Sequence, residues 1–204
     1  MSKQYSQKVR TNPTSSVPDR PGLLFILSAP SGAGKSTICR AVLDHFPDML
    51  YSISYTTRPP RKGEQDGVHY YFIAEDDFTN GIERGRWAEW AKVHDNYYGT
   101  SADLLDRVLN GGQDIILDID VQGMRQILNR YPAGITIFIM PPSLQTLRSR
   151  LEARGTDSPE VIALRLKNAQ AEMAQKELYR HVIINDQLAD AIAELIGIIE
   201  KCCS

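Results

Sequence analysis

Leu23-Leu24-Phe25-Ile26-Leu27-Ser28-Ala29-Pro30-Ser31-Gly32-Ala33-Gly34-Lys35-Ser36-Thr37 is the stretch whose reading decides the fold. An apolar run leads into a glycine-rich turn that ends in Gly-Lys-Ser, and a helix-like segment follows over residues 38–46. A strand, a glycine loop and a helix in that order make a phosphate cradle. The glycines let backbone N–H groups curl round an anion, and the helix N-terminus adds a favourable dipole. In such a cradle Lys35 reaches the β- and γ-phosphates of a nucleotide and the Ser36 hydroxyl ligates Mg²⁺. The first glycine of the G-x-x-x-x-G-K-[ST] pattern is Ala29 here. A plain glycine-rich turn between strand and helix is the competing reading, and the strand–loop–helix context weighs against it.

Outward from this loop, apolar strand candidates at 23–28, 114–118, 136–140 and 181–184 alternate with helical segments. The helices are expected at 38–46, 101–110, 121–130, 143–154, 159–178 and 188–201. Near-continuous apolar strands predict a parallel sheet buried on both faces. Ser143 and Ser158 are N-cap candidates, the second with Pro159 at the first helical position. The alternation predicts an α/β doubly wound fold. Residues 51–98 break the rhythm with short β-like pieces at 51–56, 69–73 and 87–93, turn signals and most of the aromatic residues. They predict a small β-rich subdomain inserted between the first helix and the second core strand.

Bulk properties narrow the function classes. A chain of 204 residues suits one domain, or one core with small lids. Its net charge of −2 gives no global basic field for nucleic acid or an anionic membrane. No apolar run approaches the roughly 20 residues of a membrane span. Cys39, Cys202 and Cys203 lack metal-ligand spacing and read as reduced thiols of a cytoplasmic protein. Residues 1–20 are rich in Ser, Gln, Thr, Asn and Pro, and disorder is expected there. An organellar targeting peptide is the minority reading, because no amphipathic apolar stripe is present. His45, His69, His94 and His181 form no cluster and are read as surface or packing residues.

A second anion site is legible downstream. Arg58-Pro59-Pro60-Arg61 sets two guanidinium forks three residues apart on a backbone stiffened by two prolines. Arginine forks recognise phosphate through paired charge-assisted hydrogen bonds, and a stiff backbone lowers the ordering cost. A solvated basic loop is the bland alternative. It is less persuasive after a phosphate cradle, since a kinase needs a place for its acceptor.

Thr56-Thr57-Arg58-Pro59-Pro60-Arg61-Lys62-Gly63-Glu64, followed by Gly67, Tyr70 and Phe72, resembles the signature of the guanylate kinases. So do Asn96-Tyr97-Tyr98-Gly99-Thr100-Ser101, Leu117-Asp118-Ile119-Asp120-Val121-Gln122-Gly123 and Pro141-Pro142-Ser143. The likeness is to the bacterial type, runs from about Leu23 to the C-terminal helix, and accommodates Ala29. It implies a P-loop NTPase three-layer α/β fold with a parallel core sheet, a GMP-binding subdomain at about 51–100 and a helical lid at about 143–170. The core would comprise about 21–50 and 101–204. The implied activity is ATP-dependent phosphorylation of GMP to GDP in purine nucleotide metabolism and GMP recycling, with dGMP also accepted.

The resemblance also implies roles residue by residue. Arg58, Arg61, Tyr70 and Tyr98 would hold the GMP phosphate, and Ser54, Glu89, Thr100 and Asp120 would read guanine. A carboxylate such as Glu89 accepts from both N1–H and N2–H₂ of guanine, whereas adenine presents an acceptor at N1. Discrimination that leaves a buried polar group unpaired is large. Ala29, Pro30, Ser31, Gly32, Ala33, Gly34, Lys35, Ser36, Thr37 and Asn185 would surround ATP, and Ser36 with Asp118 would hold Mg²⁺. Asp120 has its side chain on the same face as Asp118 if the strand continues that far; a helix cap is its bland reading. Arg150, Arg154 and Arg165 would form the lid and join Lys35 and Arg58 in catalysis. Arg150 and Arg154 lie four apart on one helix flank, where like charges cost a little stability unless an anion lies between them. The remaining alternatives are a guanylate-kinase-like protein-interaction module without catalysis, and a related small kinase acting on a ribosyl phosphate. No nucleic-acid or membrane partner is expected, and a homo-oligomer stays open.

Overall fold

The computed structural model describes residues 20–93, 95–155 and 157–203. In chain order the elements are β1 (Leu24–Ser28), α1 (Lys35–His45), β2 (Leu50–Tyr51), β3 (Tyr55–Thr56), β4 (Tyr71–Phe72), α2 (Glu75–Glu83), β5 (Trp87–Val93), β6 (Asn96–Ser101), α3 (Ala102–Asn110), β7 (Ile115–Asp118), α4 (Val121–Arg130), β8 (Ile135–Met140), α5 (Leu144–Arg154), α6 (Pro159–Met173), β9 (His181–Ile184) and α7 (Leu188–Cys203). A short 3₁₀ turn at Lys176–Leu178 follows α6, where the sequence predicts one unbroken helix.

The core is a five-stranded sheet in the order β2-β7-β1-β8-β9. Its strands run parallel: β2 pairs with β7 and β8 with β9 in parallel register, and the Ile115 and Ile119 N–H groups donate in step to Leu23 and Leu27. All five residues of β1 are buried, as is nearly all of β7 and β8, which is why these segments read as continuous apolar runs. The edge strand β9 departs from that expectation. Val182 is 36% and Ile184 58% exposed, because an edge strand has a neighbour on one side only.

A second sheet of four strands, ordered β4-β3-β6-β5, carries the aromatic cluster. The β3–β4 pair is parallel, and β6 pairs antiparallel with both β3 and β5. Residues 51–56, which read as one β-like piece, divide between the two sheets through β2 and β3. Two elements went unread. The strand β6 is concealed by its glycine and tyrosines, and α2 by weak periodicity around one large anchor, Phe78. That ring is fully buried and stacks on Trp87 at 4.3 Å and Tyr97 at 5.2 Å. Glu75, Asp76 and Asp77 in the first turn of α2 suit the positive end of its dipole.

Caps behave as the chemistry dictates. Ser143 Oγ accepts from the Thr146 N–H at 3.0 Å and Ser158 Oγ from the Val161 N–H at 3.4 Å, and Ser101 does the same for Leu104. Each such cap is worth about 1 kcal/mol. Leu147 and Leu151, both fully buried, form the inner stripe of α5 with Leu144 packed beside them.

By internal contacts the chain forms two compact units. The first takes the described residues up to Phe25, Asp48–Asp118 and Gln122–Gly134, and so contains the four-stranded sheet; the second takes Ile26–Pro47, Ile119–Val121 and the residues from Ile135 onward. Residues 1–19 of the segment expected to be disordered lie outside the described residues, as do His94 and Thr156. Arg20, the last of that segment, is held by Asp114 through two hydrogen bonds of 2.8 Å.

Candidate active site

The phosphate cradle lies in the second unit, between β1 and α1. Helix α1 begins at Lys35, with Gly34 at its N-cap in the left-handed region (φ 94°). A Cβ at Gly34 would come within 2.5 Å of the Asn185 amide nitrogen, so side-chain bulk is excluded there on two counts. Gly32 also has a positive φ, and its α-carbon faces Leu147 and Leu151 of α5. The Ala33 N–H donates back to Pro30, closing the turn. Ala33 and Pro30 are buried and Ala29 partly so, while Ser31, Ser36 and Thr37 are exposed and Lys35 half-buried. The turn is therefore mostly main chain, with the side chains of Ser31, Lys35, Ser36 and Thr37 not fully buried.

Asn185 supports this loop from beneath. It is 4% exposed, its Nδ2 donates to the Ala33 carbonyl at 2.7 Å, and its own N–H donates to Met140 at 2.7 Å. Its Oδ1 is buried without a hydrogen-bond partner. Arg150 on α5 donates to the carbonyls of Asn185 at 2.9 Å and Asp186 at 3.3 Å. Arg154 is exposed at the end of the helix. The Arg150 guanidinium is thus engaged by main-chain carbonyls. On α6, Arg165 reaches the cradle: its Nη1 lies 3.4 Å from Ser31 Oγ and 3.2 Å from the Asp157 carboxylate. Neither Asp157 nor Glu172, a half-buried carboxyl later on α6, stands out in the sequence. Burial pushes the Glu172 carboxyl up, Lys35 opposes that shift and Asp120 adds to it.

The first unit carries the other cluster, on the four-stranded sheet. Arg58, just beyond β3, is held on three sides. Its Nε donates to the Tyr98 hydroxyl at 3.2 Å, its Nη1 to the Pro59 carbonyl at 2.8 Å and its Nη2 to Glu64 Oε1 at 2.9 Å. Its guanidinium also lies over the Tyr70 ring, 5.5 Å from the centroid. Glu64 Oε2 accepts from the Arg61 N–H at 2.7 Å, so one carboxylate fixes Arg58 and the backbone of Arg61 together. The Arg58 hydrogen bond holds Glu64 below the ordinary carboxylate range, and the same bond raises Arg58. Sequence reasoning gave Glu64 no role; its place at the end of the Arg-Pro-Pro-Arg-Lys-Gly-Glu run was the available signal. The Arg61 side chain is exposed, Tyr70 meets Tyr98 edge-on at 5.9 Å, and Ser54 is half-buried just before β3. Burial raises the Tyr70 phenol, with Tyr98 and Asp118 adding and Arg58 opposing.

Glu89 is 7% exposed on β5, and the Thr100 hydroxyl donates to its Oε1 at 2.7 Å. That bond uses the Thr100 hydrogen. Tyr98 and Thr100 are two residues apart on β6, so their side chains share a face about 7 Å apart. One carries the arginine fork and the other the buried carboxylate. Asp118 is the last residue of β7 in the first unit, whereas Asp120 belongs to the second. The strand stops at Asp118, so the condition for placing Asp120 on the same strand face is not met. Among the described residues no cluster of His, Cys, Asp and Glu could hold a metal ion by itself, and no helix is long and apolar enough to cross a membrane. None of Cys39, Cys202 and Cys203 is in a disulfide; Cys39 is buried and Cys203 exposed.

A glycine cradle opening a helix beside a parallel sheet, an arginine on a neighbouring helix reaching that cradle, and a separate sheet bearing an arginine–tyrosine–carboxylate cluster define a P-loop nucleotide phosphotransferase. The guanylate kinase family model matches residues 22–202. Guanylate kinases of Geobacter metallireducens and Geobacter sulfurreducens are 48% and 49% identical over 185 residues, which is 90% of this chain and 91% of each relative. A crystal structure of guanylate kinase from Anaplasma phagocytophilum superposes with a TM-score of 0.72 at 30% identity, covering 91% of this chain and 88% of that one. The chain belongs to the guanylate kinase family: it is an enzyme that transfers a phosphoryl group from ATP to GMP, giving ADP and GDP.

Proposed function

We propose that the first unit holds the acceptor GMP and the second the donor ATP. The observation that carries this assignment is the shared face of β6. Tyr98 steadies Arg58 there and Thr100 steadies Glu89, so a phosphate-binding fork and a base-reading carboxylate stand one pleat apart. Arg58, Arg61, Tyr70 and Tyr98 bind the phosphate monoester. Glu89 accepts from N1–H and N2–H₂ of guanine, leaving O6 to Ser54. dGMP is accepted as well.

Ala29 to Thr37 wrap the ATP phosphates, chiefly with main-chain N–H groups, and Asn185 holds that loop in shape. A phosphate oxygen of GMP attacks the γ-phosphorus in line while the bond to the ADP oxygen breaks. The attacking group is already anionic, so the protein supplies position and charge neutralisation rather than a base. Lys35, Arg150, Arg154 and Arg165 meet the charge on the transferring group; Arg150 must exchange its carbonyl partners for phosphate to do so. In the second unit the Ser36 hydroxyl is a hard oxygen donor of the type Mg²⁺ takes; the Asp118 carboxylate of the first unit is a donor of the same kind. Bound with ATP, that ion would neutralise β- and γ-phosphate charge. The enzyme works in the cytoplasm with its thiols reduced.

The decisive experiment is a coupled ADP-release assay over GMP, dGMP, AMP, UMP and dTMP, run on the native enzyme and on Glu89→Gln. The substitution is expected to cut the GMP-over-AMP preference by about 100-fold, since one amide NH₂ then faces a guanine donor. The KM for ATP is expected to stay within about twofold. Unchanged selectivity in Glu89→Gln would remove Glu89 from the reading role.

A further inference from the structure

Strand β5 lies at the edge of the four-stranded sheet, and its ladder with β6 is irregular between Trp87 and Glu89. A bulge leaves an extra residue outside the pairing, so the ladder alone does not fix the phase of the strand at that point. An edge strand also presents N–H and C=O groups on its outer side. Both facts bear on Glu89, which sits at the irregularity.

Two anchors bracket it. Upstream, the Trp87 indole N–H donates to the Phe78 carbonyl at 3.0 Å, and its ring stacks on Phe78. Downstream, Gln126 of α4 meets the main chain of Trp90. The Trp90 N–H donates to Gln126 Oε1 at 3.1 Å, and Gln126 Nε2 donates to the Trp90 carbonyl at 3.0 Å. A primary amide is the side chain that offers one donor and one acceptor side by side, so Gln126 pairs with the strand edge as a neighbouring strand would. Trp90 itself is 37% exposed, and packing of its ring is therefore a weak restraint on the backbone.

We infer that Gln126 is a positioning residue for guanine selection: by clamping the Trp90 backbone it fixes the adjoining Glu89 carboxylate where the base must meet it. This rests on the reading of Glu89 given above. Gln126 touches no substrate in this account. Its effect passes through one peptide unit to a carboxylate that the Thr100 hydroxyl also holds. Removing the clamp loosens the angle of Glu89 toward N1–H and N2–H₂, where hydrogen bonds weaken steeply with misalignment.

The test uses Gln126→Met, close in shape but without either hydrogen bond, together with Glu89→Gln and the double variant. Q126M is expected to raise the KM for GMP about tenfold, consistent with two lost hydrogen bonds, and to narrow the GMP-over-AMP preference. The KM for ATP is expected to hold within about twofold. In E89Q/Q126M the loss of selectivity is expected to equal that of E89Q alone, because the second change acts through the first. Additive losses, or a parallel rise in KM for both nucleotides, would overturn the inference and leave Gln126 a stabilising contact only. If E89Q alters selectivity and Q126M does not, the Gln126 inference falls by itself; if E89Q leaves selectivity intact, the underlying reading of Glu89 falls first. Should Q126M fail to fold, Gln126→Glu serves: it can still accept from the Trp90 N–H but sets an anion against the Trp90 carbonyl. A normal KM for GMP in Q126E would likewise overturn the inference.

Discussion

On the assignment proposed above, the two units hold a phosphate in opposite ways. In the second unit the cradle is main chain: a turn closed by Ala33 and Pro30, a left-handed Gly34, and the N-terminus of α1. In the first unit the cluster is side chain: Arg58 is fixed by Tyr98, Pro59 and Glu64, and Glu89 by Thr100. Backbone N–H groups bind any phosphate and tolerate Ala29 in place of glycine, because what matters is the path of the chain. Side-chain sites tell one acceptor from another but depend on partners at specific atoms. On that assignment the donor side is built for generic charge, and the acceptor side for selection.

The largest effect expected from breaking this contrast is at Lys35, the main side-chain cation of an otherwise backbone site. Lys35→Met is expected to lower kcat by about 10³-fold, comparable to removing a preorganised charge from a developing transition state. Melting temperature should hardly change, since Lys35 is only half-buried. A kcat within tenfold of native in a stopped-flow or coupled assay would show that the helix terminus and arginines suffice.

Next in size is Arg58. Arg58→Lys keeps the charge but loses the fork that binds Tyr98, Pro59 and Glu64 at once. The KM for GMP is expected to rise about 100-fold while that for ATP stays within about twofold, measured by varying each nucleotide at saturating partner. Equal changes in both constants would mean that the fork serves the transfer rather than the acceptor. A third and smaller effect belongs to Asn185→Leu. This removes the 2.7 Å bond to Ala33 beneath the cradle, and KM for ATP is expected to rise about tenfold with that for GMP little changed.

These contrasts explain what the sequence could disclose. The cradle was legible because its chemistry is local: strand, glycines, lysine and helix start are contiguous, and the apolar strands around it carry their own period. The caps Ser143 and Ser158 were legible for the same reason. The edge strand β9 was misjudged because its residues are as apolar as those of β8, and only topology decides which strand has one neighbour. Arg58 and Arg61 are legible as a paired fork from their own spacing, whereas Tyr70, Tyr98 and Glu89 came from resemblance, since their grouping depends on pairings such as Thr56 with Tyr98 that no spacing reveals. Glu64, Asp157 and Gln126 escaped notice because each works by holding another residue. The lid arginines show the limit from the other side. Spacing placed Arg150 and Arg154 on one flank, yet the carbonyls after β9 engage Arg150.

The smallest expected effect concerns acid, and it separates the units by pH window. In the second unit, burial pushes the His181 imidazole below its usual 6.5, Arg180 adds to that and Glu194 opposes it; its Nε2 is buried without a partner. The folded state therefore holds fewer protons on His181 than the unfolded chain does. Its stability contribution is complete above pH 6.5 and is lost as pH falls from there through the depressed folded value. In the first unit Glu64 is held below 4.5 by Arg58. Its contribution is present above pH 4.5 and is lost only as pH falls further, through its own depressed value. Between pH 7 and 5.5 the melting temperature is expected to drop by about 2 °C, and hydrogen exchange to quicken around β9 and α7 while the β3–β6 sheet stays protected. His181→Gln is expected to flatten that slope. A slope that survives the substitution, or one that appears first in the four-stranded sheet, would place the acid-sensitive group in the acceptor unit and reverse the order of the two windows.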